Sequence, residues 1–160
     1  MIDDAALAVI RDGYCNNISL NQIHDEQFVA ALKDQHDYHQ FTIVGNRYRS
    51  PEAQQVLGFK RTGTLVLLVR EPGNPYDANA IACLVTASVE TGEDYKWIHV
   101  GYLPKNTAEV LAPIWPERMG HPVIMHASLK HSAQARSRRG IVHLDYINEQ
   151  YGEFPRGRCL

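Results

Sequence analysis

The sequence predicts a mainly β protein with helices, in the α+β class: a small, partly open β-barrel with an N-terminal helical extension. Three observations predict it. From residue 41 onward, short apolar runs rich in β-branched and aromatic residues alternate with turn residues. Only one helical pattern falls late in the chain, so the gaps between runs are too short for the crossovers of a parallel sheet. Residues 1–40 have helical spacing instead.

Length and composition limit the class of protein. The chain has 160 residues, 44% apolar and 21% charged, which supports one core with an appendage and excludes a disordered or fibrous protein. No apolar run approaches the ~20 residues that cross a bilayer, and Asp3 and Asp4 stand where a signal peptide is basic. The three cysteines are odd in number and widely spaced, which is typical of a reducing compartment. We therefore expect a cytoplasmic protein with no membrane partner.

Residues 1–40 are expected to form two short helices. Apolar residues recur at spacings of three and four up to Gly13, which can end the first helix. A second stripe of the same spacing follows Ser19, which forms a capping-box pattern with Gln22. This extension precedes the predicted barrel domain.

The strands of the barrel are predicted from apolar runs that end at glycine, proline or polar residues. They cover residues 41–45, 64–69, 81–89, 97–103, 122–129 and 140–147. Gly101 indicates a β-bulge or a close approach of two backbones. Pro104 ends its strand, and Asn106 and Thr107 are the expected N-terminal caps of a short helix. The polar, basic residues 130–139 are predicted to form a mobile surface loop.

Charge is segregated along the chain, although its total is only −2. Residues 1–40 carry seven acidic and two basic residues, and residues 128–160 carry six basic and three acidic ones. The residues between them carry equal numbers of each. The total excludes a broad electrostatic binder of nucleic acid, but local fields decide what binds where. A small site that uses stacking and few phosphate contacts is compatible with this distribution.

No catalytic or cofactor motif is present in the sequence. It lacks the glycine-rich nucleotide motifs, the nucleophile elbow and the zinc-protease helix, and its cysteines are too dispersed for zinc ligation. The histidines that could suggest a metal site form a pair and a set of three. The members of the set are five residues apart, so on one strand neighbouring members would point to opposite faces. They are His36, His39, His121, His126 and His131. Solvated histidines explain them better than a metal site, so we expect no enzyme activity, metal or cofactor.

The most informative segment is the connection 70–81 between two apolar strands. Two prolines, a glycine and two asparagines make it a rigid turn that holds Tyr76 beside Asp77. One interpretation is a tight corner in which Asp77 or Asn79 caps backbone N–H groups and Tyr76 packs on the barrel. The other is a stacking tyrosine beside a carboxylate that accepts a hydrogen bond from a hydroxyl.

Two motifs in this order resemble the HIRAN domain family. They are residues 74–81 (NPYDANAI) and residues 100–105 (VGYLPK), the second followed by a helix. Residues 44–48 (VGNRY) are similar to the family's opening strand, and the likeness covers about residues 41–130. The resemblance implies a modified OB-like or SH3-like partly open barrel, which we expect over residues 41–150.

The remaining ten residues, 151–160, are expected to form a basic C-terminal tail. Members of the family occur at the N-terminus of eukaryotic fork-remodelling translocases, and in bacteria and phages as small proteins. The resemblance implies a noncatalytic module that binds single-stranded DNA at a free 3′-hydroxyl end, in DNA repair or a related process. A DNA-processing protein acting in trans is the implied partner.

The resemblance also implies which residues bind the strand. By that likeness Tyr48 and Tyr76 stack on terminal bases, and Asp77 accepts a hydrogen bond from the 3′-hydroxyl. Arg47 and Lys105 hold phosphate oxygens.

Tyr102 lines the pocket by the same likeness, where the translocase members carry a histidine. Arg49, Lys60 and Arg61 either widen a positive rim or are simply solvated. The alternative function is a protein-interaction or regulatory module that docks a partner through its acidic N-terminal helices.

Overall fold

The structure is a computed structural model that describes the barrel and its helices. The described residues are 40–59, 64–88, 95–115, 117–118, 121–122, 125–131 and 141–143. The predicted N-terminal helices, the basic loop beyond His131 and the C-terminal tail lie outside them, as do the paired histidines near residue 36.

Short strands dominate the described residues. The strands are β1 (Gln40–Thr42), β2 (Leu65–Arg70), β3 (Ile81–Ser88), β4 (Tyr95–Tyr102), β5 (Glu117–Arg118), β6 (His121–Pro122), β7 (Met125–His131) and β8 (Ile141–His143). The α-helices are α1 (Pro51–Phe59) and α2 (Lys105–Leu111), and the 3₁₀ helices are Asn46–Tyr48 and Ala112–Ile114. No helix in this part of the chain is long and apolar enough to span a membrane.

Six of the strands form one antiparallel sheet whose two edges meet. The order is β1-β8-β7-β2-β3-β4, while β5 and β6 form a separate hairpin. Just beyond β1, Val44 pairs with Tyr102 at the end of β4 through N–H···O bonds of 2.8 and 2.9 Å. Because this bridge joins the two edges of the sheet, β1 and β4, the sheet curls into a partly open barrel, which confirms the predicted mainly β barrel with helices.

Gly101 makes this closure possible. The register of β3 against β4 shifts between Cys83 and Leu84, opposite Gly101, so a bulge lies there. A Cβ atom at residue 101 would stand 2.5 Å from Ile43 Cγ2 and 2.6 Å from the Val44 carbonyl oxygen. Both predicted consequences of this glycine, a bulge and a close backbone approach, are confirmed.

The core fills the barrel and the space under the two helices. Alternate residues of the central strands enter it, among them Val66 and Leu68 of β2 and Val85 of β3. Leu57 of α1 and Leu111 of α2 are fully buried and cover the barrel from outside the sheet. Each such side chain stabilises the fold by roughly 1.5–3 kcal/mol through apolar burial.

Helix α1 was not predicted from the sequence. It follows Ser50, whose hydroxyl oxygen accepts a hydrogen bond from the Ala53 N–H at 3.1 Å, and Pro51 stands at its first position. Serine followed by proline is a common helix start, so the signal was present. Ala53 and Leu57, four residues apart, then bury one face of the helix.

Three predicted elements differ in detail. The opening strand, expected over residues 41–45, is observed as β1 at Gln40–Thr42. Helix α2 has Pro104, not Asn106 or Thr107, at its N-cap, because the chain becomes helical at Lys105 directly after the strand. The Asn106 side chain instead accepts a hydrogen bond from the Thr107 N–H at 3.0 Å. The run 122–129 is not one strand but is divided between β6 and β7.

Candidate nucleic-acid interface

A cavity of about 480 Å³ opens where the end of β4 meets the connection between β2 and β3. Its lining residues come from both predicted motifs and from the chain after β1. They are Val44, Arg49, Asn74, Tyr76, Asp77, Ala80, Tyr102, Leu103 and Lys105. The structure thus brings together four of the six predicted binding residues, and the bridge that closes the barrel forms part of the wall.

The connection between β2 and β3 is held in one conformation by its own side chains. Asn74 Oδ1 accepts hydrogen bonds from the backbone N–H groups of Tyr76 at 2.9 Å and Asp77 at 3.1 Å. Asp77 Oδ1 in turn accepts one from the Asn79 N–H at 2.9 Å. Asp77 therefore does cap the backbone, as the first interpretation of this segment expects. Within the described residues, its second carboxylate oxygen has no hydrogen-bond partner.

Arg70 ties the same connection to the sheet. Its guanidinium Nη1 donates hydrogen bonds to the carbonyl oxygens of Ala78 at 2.9 Å and Ala80 at 3.4 Å. Burial lowers the pKa of Arg70, although the negative charges of Asp77 and Glu117 oppose that effect. The loop that presents Tyr76 and Asp77 is thus fixed at both ends.

Tyr76 does not pack on the barrel. Its side chain is 93% exposed, and Tyr48 is 75% exposed; in the part of the chain that the structure describes, no other large hydrophobic side chain is exposed. An aromatic ring on a rigid, hydrogen-bonded turn presents a flat apolar face to solvent at low entropic cost. The exposure favours the second interpretation of this segment, in which the ring stacks on a base.

Arg47 and Tyr48 stand beside the cavity, not in it. They belong to the 3₁₀ helix that follows Gly45, a residue with the positive φ of 76°. The Asn46 side chain anchors this helix by donating a hydrogen bond to the Val100 carbonyl at 2.7 Å. The Arg47 guanidinium lies 4.7 Å from the centre of the Tyr48 ring. Neither side chain lines the cavity, whereas Arg49 does.

Tyr102 connects the cavity to a buried carboxylate. Its hydroxyl is hydrogen-bonded to the side chains of Glu71 and Asn74. Burial, followed by the negative charge of Glu71, raises the pKa of Tyr102 to about 12. The phenol is therefore protonated at neutral pH and donates to the carboxylate. Since Asn74 Oδ1 already serves the backbone, its amide N–H is the group left to donate to the phenol oxygen.

His99 lies behind Tyr102, with the ring centres 4.7 Å apart in an edge-to-face arrangement. Its Nε2–H donates a hydrogen bond to the Gly101 carbonyl at 2.8 Å. Burial, and then the positive charge of Arg49, lower the pKa of His99 to about 3. The imidazole is consequently neutral at pH 7 and adds no charge behind the cavity wall.

Sequence reasoning missed the two residues that organise this site. Asn74 belongs to the motif of residues 74–81, where its type indicated only a turn. The available signal was the Asx pattern, in which an asparagine side chain accepts hydrogen bonds from the backbone N–H groups two and three residues later. His99 had no local signal, because its burial depends on the pairing of β4. Within the described residues, no group of three His, Cys, Asp or Glu side chains could hold a metal ion.

One family model matches the chain, and two solved structures are similar to it. The model of the HIRAN domain family matches residues 36–140. A crystal structure of a protein from Lactobacillus plantarum is similar, with 22% identity over 66% of this chain and 87% of that one, at a TM-score of 0.44. The HIRAN domain of human HLTF is also similar, with 21% identity over 71% of this chain and 91% of that one, at a TM-score of 0.41. No curated protein matches the chain.

Proposed function

This chain belongs to the HIRAN domain family, a family of DNA-binding domains, and on that basis we propose that its cavity binds single-stranded DNA at a free 3′-hydroxyl end. The observation that carries the proposal is the pairing of the exposed Tyr76 with the partly exposed Asp77 on one rigid turn at the cavity mouth. One side chain suits a base and the other suits a hydroxyl group.

Stacking supplies affinity without a sequence requirement. Tyr76 and Tyr48 are the exposed aromatic rings next to the cavity, and a base stacked on one of them contributes ~1–3 kcal/mol. Every base has a π face, so strands of different sequence bind alike. Lys105, which is exposed at the cavity rim, contributes a cation for the phosphate backbone.

Asp77 supplies the preference for a free end. One of its oxygens is used by the Asn79 N–H, which leaves the other to accept a hydrogen bond from a terminal hydroxyl. A terminal phosphate would bring a second negative charge against this carboxylate, and like charges at short range repel. The cavity therefore favours a strand that ends in a 3′-hydroxyl over one that ends in a 3′-phosphate.

We also propose that this module works with a DNA-processing protein in trans, in the cytoplasm. Since binding through stacking and one hydroxyl contact requires no chemical step, the proposed role is noncatalytic.

The test is a comparison of two fluorescent oligonucleotides that end in a 3′-hydroxyl or a 3′-phosphate. We expect fluorescence anisotropy to show at least tenfold tighter binding of the hydroxyl end, as for a hydrogen bond to a charged group worth about 1.5–3 kcal/mol. Asp77→Asn keeps an oxygen for the Asn79 N–H but removes the charge, so it should reduce the difference between the two ends.

The two Asp77 variants distinguish the loss of the carboxylate–hydroxyl contact from the loss of the cap that stabilises the turn. Asp77→Ala removes both the cap and the charge, so circular dichroism shows whether it loses structure as well as affinity. Equal and weak binding of both ends by the wild-type protein would contradict end recognition.

A further inference from the structure

We propose that Arg49 binds the phosphate that joins the last two nucleotides of the bound strand, whereas Arg47 supports the Tyr48 ring. The inference rests on the proposed function and adds a specific cation to it. It comes from where the two guanidinium groups lie, because the family motif points to Arg47 and the cavity is lined by Arg49.

The Arg49 side chain is placed to receive an acceptor. It lines the cavity, and no hydrogen bond or ion pair within the described residues uses its guanidinium group. Its Nε is shielded from solvent, but the terminal Nη groups are not, so they are the donors that an incoming ligand can reach. A phosphate oxygen that enters the cavity would accept from them a charge-assisted hydrogen bond of the kind that arginine forms well.

The charge of Arg49 is not used by the fold. It forms no ion pair within the described residues, and its positive charge acts on the two rings behind it: it lowers the pKa of His99 and opposes the rise in the pKa of Tyr102. Since that imidazole is neutral, the cations of the cavity lining are Arg49 and Lys105, and the anion of the lining is Asp77. The nearby carboxylate of Glu71 is buried and hydrogen-bonded to Tyr102.

Arg47 already has a different contact. Its guanidinium lies 4.7 Å from the centre of the Tyr48 ring, a cation–π distance, and its side chain is exposed outside the cavity. This contact holds a ring that is itself 75% exposed. The two arginines therefore have separate tasks: Arg47 orients a stacking ring, and Arg49 meets the phosphate.

The experiment neutralises one phosphate and one arginine in turn. An oligonucleotide with a methylphosphonate at its 3′-terminal linkage lacks one backbone charge, and we expect the full-length protein to bind it about ten- to a hundredfold more weakly than the ordinary strand. Arg49→Gln should lose a similar factor on the ordinary strand and little more on the methylphosphonate strand, because the partner of the phosphate is already gone. Its log–log salt slope should be shallower by about 0.7.

Three other variants test which arginine binds the phosphate and whether its charge alone is sufficient. Arg49→Lys keeps the charge but loses the planar guanidinium group with its paired donors, so it should retain the salt slope and part of the affinity. Arg47→Gln should bind more weakly but remain fully sensitive to the methylphosphonate. Lys96→Gln, which removes a cation that pairs with Glu52 away from the cavity lining, should leave affinity unchanged.

The possible outcomes are distinct for the two proposals. If Arg49→Gln remains fully sensitive to the methylphosphonate, or if Arg47→Gln loses that sensitivity, the assignment to Arg49 is overturned. If Arg49 and the phosphate are coupled but the two 3′ ends bind equally, the assignment stands and end recognition fails. If the wild-type protein binds no single strand, both are overturned.

Discussion

A single side chain, Asn74, connects the two halves of the candidate site. Its carbonyl oxygen accepts from the backbone of Tyr76 and Asp77, and its amide is hydrogen-bonded to Tyr102 of β4. Tyr102 is hydrogen-bonded to Glu71 as well. The turn that carries the stacking ring is thereby fastened to the strand that closes the barrel, so the ring and the carboxylate are ordered before any ligand arrives.

Substitution of Tyr76 should separate binding from stability. Because the ring is 93% exposed, Tyr76→Ala should leave the urea-unfolding midpoint nearly unchanged. It should weaken binding of a single strand by ~1–3 kcal/mol, the range for one stacked base. Tyr76→Phe keeps the stacking face and serves as the matched control. Normal affinity in Tyr76→Ala, measured by anisotropy, would exclude a stacking role.

The neutral, largely buried His99 makes the free energy of unfolding depend on pH. Its pKa is about 3 in the folded chain and about 6.5 when unfolded, so in between the unfolded state binds the extra proton. His99 therefore costs the fold little above about pH 6.5, and its effect lowers the free energy of unfolding progressively as the pH falls from there toward 3. Between pH 7 and pH 5 this one residue should lower the free energy of unfolding by about 2 kcal/mol.

The contribution of His99 can be isolated by His99→Gln, which keeps a donor for the Gly101 carbonyl but does not titrate. Urea unfolding of both proteins at pH 7 and pH 5 gives the difference, and the other seven histidines are present in both proteins, so their contributions cancel in the comparison. The same pH dependence in the variant and in the wild-type protein would contradict the prediction.

Among the elements, the bulge at the end of β4 allows the close approach of Gly101 to Ile43 and Val44. Gly101→Ala would place a methyl group 2.6 Å from the Val44 carbonyl oxygen, so the bridge must open or the strand must shift. We expect a loss of about 1–3 kcal/mol in the free energy of unfolding. DNA affinity should fall too, since Val44 and Tyr102 line the cavity.

The control for that variant is Gly73→Ala. Nothing lies within 4 Å of a Cβ atom there, so the change in stability should stay within about 0.5 kcal/mol. Chemical denaturation of the two variants side by side makes the comparison. Equal stability of both would show that the close approach at residue 101 is readily relieved.

The elements that sequence predicted well are those fixed by local pattern. The strands β2, β3 and β4 are apolar runs ended by turn residues, and each lies within two residues of its expected start. Helix α1 was not predicted because Ala53 and Leu57, the residues of this helix that the structure describes as buried, are too few to make a periodic stripe, although its Ser50 cap was visible in the sequence. Two features depend on pairing across the sheet, which no local pattern encodes. They are the division of the run 122–129 into two strands and the position of Arg49 in the cavity lining.

At the scale of the whole molecule, charge distribution sets how strongly a polyanion is attracted. With two to four phosphate contacts, the log–log salt slope of single-strand binding should be roughly −1.5 to −3. Removal of residues 1–35, which precede the segment matched by the family model, takes away six acidic and two basic residues and changes the net charge from −2 to +2. We expect tighter DNA binding at low salt, and a smaller gain at high salt because the repulsion is screened.

This truncation also tests the alternative role of the acidic segment. If DNA affinity is unchanged while binding of a protein partner disappears, residues 1–35 form a docking segment and do not regulate the cavity. Anisotropy at two salt concentrations, together with a pull-down from the source cell, distinguishes the two. The full-length protein is the reference in both measurements.

The Val44–Tyr102 bridge has a kinetic consequence. In the part of the chain that the structure describes, two backbone hydrogen bonds between Val44 and Tyr102 and the side-chain hydrogen bond from Asn46 to Val100 hold this seam of the barrel. The chain that leaves the seam carries Tyr48 and Arg49. If the seam opens locally, the cavity wall and both side chains move apart, so the open form is unable to hold a strand. Because a strand binds only the closed form, binding stabilises the closed form relative to the open one by mass action. Amide hydrogen exchange at Val44 and Tyr102 should slow in proportion to the occupancy of the cavity, which makes the seam a built-in reporter of ligand binding.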